Sequence, residues 1–180
     1  FHGGGNFTLR HTSFGQTWNP LQVMLQVRPT DGPGNVAIDH VLLGDAPNDK
    51  SLYFGDLRLH VSDTIIARNS YNTDWAGAHL GSLPAATFAR VRWQGNVAGG
   101  NGGGLGLTVN AGATFESNQF IGNRAGNKGG AMFVDTGCTA TVTNSFFRDN
   151  FAGVAGGAIA AVADTVMAIE LSVFLDNRAL

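Results

Sequence analysis

The chain is predicted to be all-β, a parallel β-solenoid of about seven turns with a repeat of about 27 residues. Three observations carry this. An anchor residue followed three positions later by Asn recurs at a fixed interval: Trp93/Asn96, Phe120/Asn123, Phe147/Asn150 and Phe174/Asn177, with Ile66/Asn69 one step earlier. A glycine mark keeps the same interval, at Gly103-Gly104, Gly129-Gly130 and Gly156-Gly157, with Gly77-Ala78 as an earlier, weaker copy. Each mark borders a short apolar segment, and no segment has the apolar spacing of a capped helix. A long fixed period built from short strands is the mark of stacked turns. No single turn buries its own inner face, so each needs its neighbours.

The elements follow in chain order. Counting back from the anchor, positions two, five and seven are apolar or small. They are Thr12, Leu9 and Phe7 before Phe14, and Thr64, Val61 and Leu59 before Ile66. The same offsets give Val91, Phe88 and Ala86 before Trp93, and Asn118, Phe115 and Ala113 before Phe120. They give Ser145, Val142 and Ala140 before Phe147, and Ser172, Ile169 and Met167 before Phe174. Period two places side chains on alternate faces of a strand. The change from odd to even offset places a bend between two strands. Between Phe14 and Ile66 there is room for two turns, with Leu43 as the intervening anchor and Val36, Ile38 and Val41 facing inward. Leu42 as anchor is the one-residue slip of that register.

After the glycine mark come Leu105–Val109, Ala131–Val134 and Ala158–Val162, with Ser51–Phe54 and Met24–Val27 in the earlier turns. Residues 28–35 and 44–50 are loops rich in Pro, Gly, Asp and Asn, and all five prolines precede residue 85. The chain therefore divides into irregular early turns with long loops (1–58) and regular turns (59–180), all in one domain. Phe120, Phe147 and Phe174, with Trp93, form an expected internal ring stack, and Asn69, Asn96, Asn123, Asn150 and Asn177 an amide ladder. The glycines fit positions of positive φ or of close turn-to-turn approach.

The alternation of Gly-Gly-Ala-(Ile/Met) with Phe-x-x-Asn resembles the repeats of the polymorphic outer-membrane protein family. It is also similar to the wider right-handed parallel β-helix class that includes pectin-lyase-like proteins. The match is good over 93–180, fair over 59–92 and weak before that. The resemblance implies a right-handed parallel β-helix at the cell surface or outside the cell, in adhesion or surface display, with no catalytic residues to carry over.

Composition limits the alternatives. With 26 glycines, 13% charged residues and a net charge of −2, the chain lacks the basic clustering of a nucleic-acid binder. A single cysteine, Cys138, allows no internal disulfide. No stretch has the length of a membrane span: the small apolar run 151–163 is too short and falls on the repeat. The glycine run 99–106 lacks the spacing and Gly-Lys-Ser/Thr of a phosphate loop, and no cofactor is expected. The chain starts and stops inside a repeat. This leads to the expectation that it is part of a longer protein, or that other chains or further repeats cap both ends.

A few residues could carry chemistry. Three before each anchor stand His11, His40, Asp63 and Arg90 on successive turns, then Ser117, Asn144 and Leu171. Two imidazoles and a carboxylate could ligate a transition metal. A carboxylate beside Arg on a lateral groove could serve polysaccharide cleavage, abstracting a proton or activating water. The plainer alternative is a surface ion pair, Asp63–Arg90, with solvated histidines. Asp45-Ala-Pro-Asn-Asp49 offers oxygen ligands without the spacing of a calcium loop. Asn6 heads the one glycosylation sequon, Asn6-Phe7-Thr8. Trp18 and Trp75 lie off the inward columns, suited to glycan stacking, a protein interface or packing under their own loops. The sequence thus supports a non-enzymatic structural or adhesive module first. A carbohydrate-active β-helix, binding or cleaving along its lateral groove, is the alternative.

Overall fold

In the computed structural model, residues 7–10, 13–14, 25–27, 34–46, 52–55 and 57–180 are described; Asn6, His11, Trp18 and Asp49 lie outside them. The described residues form four parallel sheets that run the length of a solenoid, with no helix. One turn illustrates the path. The chain runs through Gly112–Glu116 in the long sheet and Gln119–Ile121 in the anchor sheet. It continues through Arg124–Ala125 in the short sheet and Met132–Val134 in the return sheet. The long and anchor sheets each hold seven strands, the return sheet six and the short sheet five. Five complete four-strand turns run from Leu52 to Ala179, with two earlier turns represented by fewer strands. The expected seven is therefore five complete turns plus two partial ones among the described residues.

The register is the one the anchors predict. Leu43 pairs with Phe14 and with Ile66, Ile66 with Trp93, and Trp93 with Phe120. Phe120 pairs with Phe147, and Phe147 with Phe174. Leu43 is buried at 0% exposure while Leu42 is 36% exposed, which fixes Leu43 as the inward residue. Val36, Ile38 and Val41 are buried with it. In the long sheet the burial alternates, with Ala113 and Phe115 inside and Thr114 and Glu116 outside. A strand with one face on a core and one in water shows this alternation.

Turns meet at the strand spacing of a parallel sheet, so in-register rings must stack. Phe120 and Phe147 lie 4.6 Å apart and 3° from parallel, and Phe147 and Phe174 repeat this at 4.6 Å and 2°. Trp93 stacks on Phe120 at 5.6 Å, its larger ring offset. A second column, Phe88 on Phe115 at 5.0 Å, packs against the first through Trp93 and Phe120. Leu105, Leu107, Met132 and Val134 close the core from the return sheet.

The amide ladder is continuous. Asn123 Oδ1 accepts from the backbone N–H and Nδ2 of Asn96, while Asn123 Nδ2 donates to Trp93 O and to Asn150 Oδ1. Asn96, Asn150 and Asn177 repeat the pattern one turn apart. At the next bend upstream, side-chain oxygens cap backbone N–H groups in the same way: Asn118 over Val91, Ser145 over Asn118, Ser172 over Ser145. Asn118 also stands 3.5 Å from Trp93 Nε1, giving the inward indole a polar neighbour. At these two bends the N–H groups of Val91, Asn96, Asn118, Asn123, Ser145 and Asn150 are thus met by side chains inside the solenoid, where an unmet donor is costly.

The glycine mark is shifted by one residue from the sequence alignment. Gly102, Gly129 and Gly156 are the equivalent positions, all at φ between 64° and 69°. The following glycines, Gly103, Gly130 and Gly157, run against backbone of the next turn: a Cβ at Gly130 would overlap the carbonyls of Gly157 and Phe151. Gly103-Gly104 therefore matches Gly130-Ala131, not Gly129-Gly130. The third glycine of the first mark hid the slip.

Candidate functional site

The residues three before each anchor sit on the bend between the long and anchor sheets, not on a flat sheet. His40, Asp63, Arg90, Ser117, Asn144 and Leu171 all have φ between 46° and 55°. Such left-handed backbone favours Asn and Asp among non-glycine residues. A second corner, two residues past the anchor, repeats this at Asp45, Arg68, Gly95, Gly122, Asp149 and Asp176. Both corners bring side chains of successive turns into an outward column.

On the early turns these columns carry charge. Arg90 forms a two-pronged fork on Asp63, with Nε to Oδ1 at 2.7 Å and Nη2 to Oδ2 at 2.6 Å. Arg68 does the same to Asp45, both contacts at 2.7 Å. Asp39 accepts from Ser62 Oγ at 2.6 Å, lies 3.0 Å from His40 Nδ1, and has Arg10 at 3.9 Å. These partners lower the carboxyl pKa values below the ordinary aspartate range. For Asp63 and Asp45 the arginine hydrogen bonds dominate, and for Asp39 the Ser62 hydroxyl comes first, then His40. On the later turns the first of these columns is neutral, with Asn144 Nδ2 donating to Ser117 Oγ at 3.0 Å, while the second keeps Asp149 and Asp176.

Of the sequence-singled column, the structure brings His40, Asp63 and Arg90 together; His11 is outside the described residues. Asp39, which sequence reasoning passed over, completes the group. It is the residue before a corner histidine, an outward position of the long strand. One donor atom each from Asp39, His40 and Asp63 lies within 4.8 Å of the others, a triad that could hold a metal ion. Both carboxylates in it already have hydrogen-bond partners. Asp45 accepts the Arg68 fork, and Pro47 to Asp49 lie outside the described residues.

Away from this corner, toward the start of the long-sheet strands, an open groove of about 470 Å³ crosses the outer face of the early turns, and none of Asp39, His40, Asp63 or Arg90 lines it. Arg58, His60, Asn35, Thr8 and Thr87 give it polar walls over the small residues Ala37 and Ala85. His60 Nδ1 and Thr87 Oγ1 are 2.6 Å apart. Trp75 is packed rather than presented: it stacks on His79 at 4.0 Å and lies across Gly106, where any Cβ would collide with the indole. Glycines 99–104 are likewise consumed by turn packing, with Gly99 against Asn72 and Gly104 against Ala131. Cys138 is buried in the core, and burial pushes its thiol pKa up. Among the described residues no helix is long and apolar enough to cross a membrane.

Comparison with protein-family models, curated proteins and solved structures finds no match to this chain.

Proposed function

We propose that the chain is a non-enzymatic structural or adhesive β-helix module, a rigid extracellular or cell-surface scaffold. Its contacts are with further repeats, other protein chains and surface glycans. The observation that carries this reading is where the polar groups go. The inner amides are spent joining turn to turn from Asn69 to Asn177, and the arginine forks on the early corners also join turn to turn. Asp63, held ionised below its usual range by Arg90, is a weakened proton acceptor, since base strength falls with pKa. The resemblance to surface-protein repeats agrees with this reading and with its placement outside the cell.

The groove over Arg58 and His60, on the same long-sheet strands that lead into the Asp63 corner, favours a second reading, a carbohydrate-active β-helix that binds or cleaves polysaccharide. One experiment separates the two. The protein is incubated with neutral and uronic-acid polysaccharides, and new reducing ends are measured alongside retention on a glycan-coated and a protein-coated surface. The scaffold reading expects retention without new ends. New ends that vanish in both Asp63→Asn and Arg90→Ala would replace it with the enzymatic one.

A further inference from the structure

From Val91 onward the solenoid separates its charges onto two lateral walls. Every cation of this stretch, Arg92, Arg124, Lys128, Arg148 and Arg178, stands on the anchor sheet, the short sheet or the loop that follows it. Glu116 and Glu170 stand on the outer face of the long sheet, and Asp135 and Asp164 in the connections that lead into it. Asp149 and Asp176 share the cationic side, at its corner, with Asp149 3.2 Å from Arg148. The anchor and short sheets thus form a positive wall, and the long sheet a negative one that carries no cation in this stretch. Arg92, Arg124, Arg178, Glu116 and Glu170 take part in no ion pair among the described residues.

The two walls also match in spacing. Glu116 pairs with Thr143 and Thr143 with Glu170, so the two carboxylates lie two turns apart in one row. Arg124 and Arg178 share a row in the same way, with Phe151 between them. Each gap is therefore about 10 Å, twice the strand separation. The middle positions stand low. Thr143 is short, and Phe151 is half-buried with the Arg124 guanidinium 5.0 Å from its ring centre. Beside the glutamates the long sheet presents only Thr114, Thr141 and Ala168, a flat surface that another wall can approach closely.

We infer that the arginine wall is a docking surface for the glutamate wall of a second copy of this chain. The two solenoids lie side by side, with Arg124 and Arg178 of one facing Glu116 and Glu170 of the other. This rests on the scaffold reading and names one of its protein partners. Two arginines meet two glutamates at once only where both gaps are equal, and the stacking of turns gives both gaps the same value. Arginine suits the contact, because its planar fork offers a carboxylate two parallel N–H donors. An acidic sugar polymer would use the arginine wall alone and leave the glutamate row without a role, whereas a second copy uses both. The net charge of −2 sets up little repulsion between copies. The contact joins unlike walls, so each pair keeps one wall of each kind free, and side-by-side rows can grow.

Sedimentation velocity at about 0.01 M and about 1 M salt tests this, since the screening length falls from about 30 Å to about 3 Å between them. Protein concentration is raised to about 1 mM, so that a weak contact is still scored. The expected result is self-association at low salt, weakened about tenfold or more at high salt. Two double variants follow, Glu116→Lys with Glu170→Lys, and Arg124→Glu with Arg178→Glu. Each alone should lose self-association at low salt, and a mixture of the two should regain it, because each supplies the wall the other lacks. Thermal unfolding confirms that each variant is folded, as expected for exposed positions, and the salt comparison needs no variant. A monomer at low salt, oligomers that high salt does not weaken, or double variants that still associate alone would each overturn the inference. A monomer retained on immobilised heparin overturns it too, and makes an acidic sugar chain the occupant of the arginine wall. These results leave surface retention and polysaccharide cleavage untouched, so the scaffold reading stands or falls separately.

Discussion

The turns anchored from Ile66 onward and the turn anchored by Leu43 solve the same problem by different means. From Ile66 to Phe174 every step is 27 residues, and the corner past the anchor is locked from inside by asparagine. From Leu43 to Ile66 the step is 23 residues, and Ala46 stands at the ladder position, its N–H donating upward to Asn69 Oδ1. There the outer corner is bridged instead by the Asp45–Arg68 fork, across 23 residues, and the Asp63–Arg90 fork follows one turn on, where the step is already 27 residues and the amide ladder has begun. An internal amide column demands identical paths from turn to turn, because each side chain must meet both neighbours. A fork of long side chains tolerates unequal paths, since arginine spans the difference. Regularity inside and charge outside are two solutions to corner satisfaction, and they differ in worth: buried hydrogen bonds are expensive to lose, while exposed ion pairs contribute little.

The largest test of that contrast is a ring deletion in the regular region. Phe147→Ala should destabilise by roughly 3–5 kcal/mol, through lost burial and the cavity left between Phe120 and Phe174. Its outward neighbour Arg148→Ala should stay within about 0.5 kcal/mol. Chemical denaturation measures both, and equal effects would remove the internal stack from the account.

Next come the amides. Asn123→Ala strips acceptors from the Asn96 N–H and Nδ2 and donors from Trp93 O and Asn150 Oδ1, and should cost roughly 2–3 kcal/mol. Asn69→Ala should cost less. Its contact to Leu43 O is long, at 3.5 Å, and its lower neighbour is an alanine. If Asn69 proves the costlier of the two, the ladder does not begin where the spacing changes.

Glycines sharpen the comparison at a smaller scale. Gly130→Ala would drive a methyl into the Gly157 and Phe151 carbonyls and should cost about 1–3 kcal/mol, as overpacking does. Gly122→Ala meets open space and should show only the left-handed backbone penalty, about 1–2 kcal/mol, at its φ of 63°. Thermal unfolding of the pair distinguishes close packing from backbone conformation as the reason for each glycine.

The smallest effect belongs to the forks. Asp39, Asp45 and Asp63 all have folded-state pKa values below the ordinary one. Their stabilisation is therefore present above the unfolded aspartate value, about 3.9, and is lost as pH falls through the lower folded values. Thermal midpoints should show no contribution from these pairs to any change between neutral pH and about pH 5, then a decline below about pH 4. Asp63→Asn should flatten part of that acid decline while changing the midpoint at pH 7 little. A large loss at pH 7 would mean the early corner depends on its charges as the later turns depend on their amides.

Much of this was legible because the repeat is strict. Trp93, Phe120 and Phe147 announce an inward column through their spacing alone, and Asn at a fixed offset has little reason to recur unless it bonds its own kind. Leu43 could be chosen over Leu42 because Val36, Ile38 and Val41 fell into phase only with it. The glycine register is also written in the sequence, since Gly102 lies 27 residues before Gly129 and Gly103 only 26, but three consecutive glycines at 102–104 obscure it until the positive φ at Gly102, Gly129 and Gly156 marks the equivalent positions. The site was half legible. His40, Asp63 and Arg90 shared an offset, but Asp39 lies on an outward strand position where sequence reading expects only solvent. The change of offset already places a bend between positions five and two before the anchor, but its left-handed backbone at position three is visible only in the structure.

The central claim is that buried side-chain amides, not surface pairs, secure the corners between successive turns. Native-state hydrogen exchange of the backbone N–H groups of Asn96, Asn123 and Asn150 tests it most directly. Each lies at a bend and donates to a side-chain oxygen of the next turn rather than to a sheet partner. The account predicts that these amides exchange only on global unfolding, as slowly as Phe120 and Phe147 in the anchor sheet. Exchange of these amides well ahead of Phe120 and Phe147 would show that the ladder opens locally, and would contradict it.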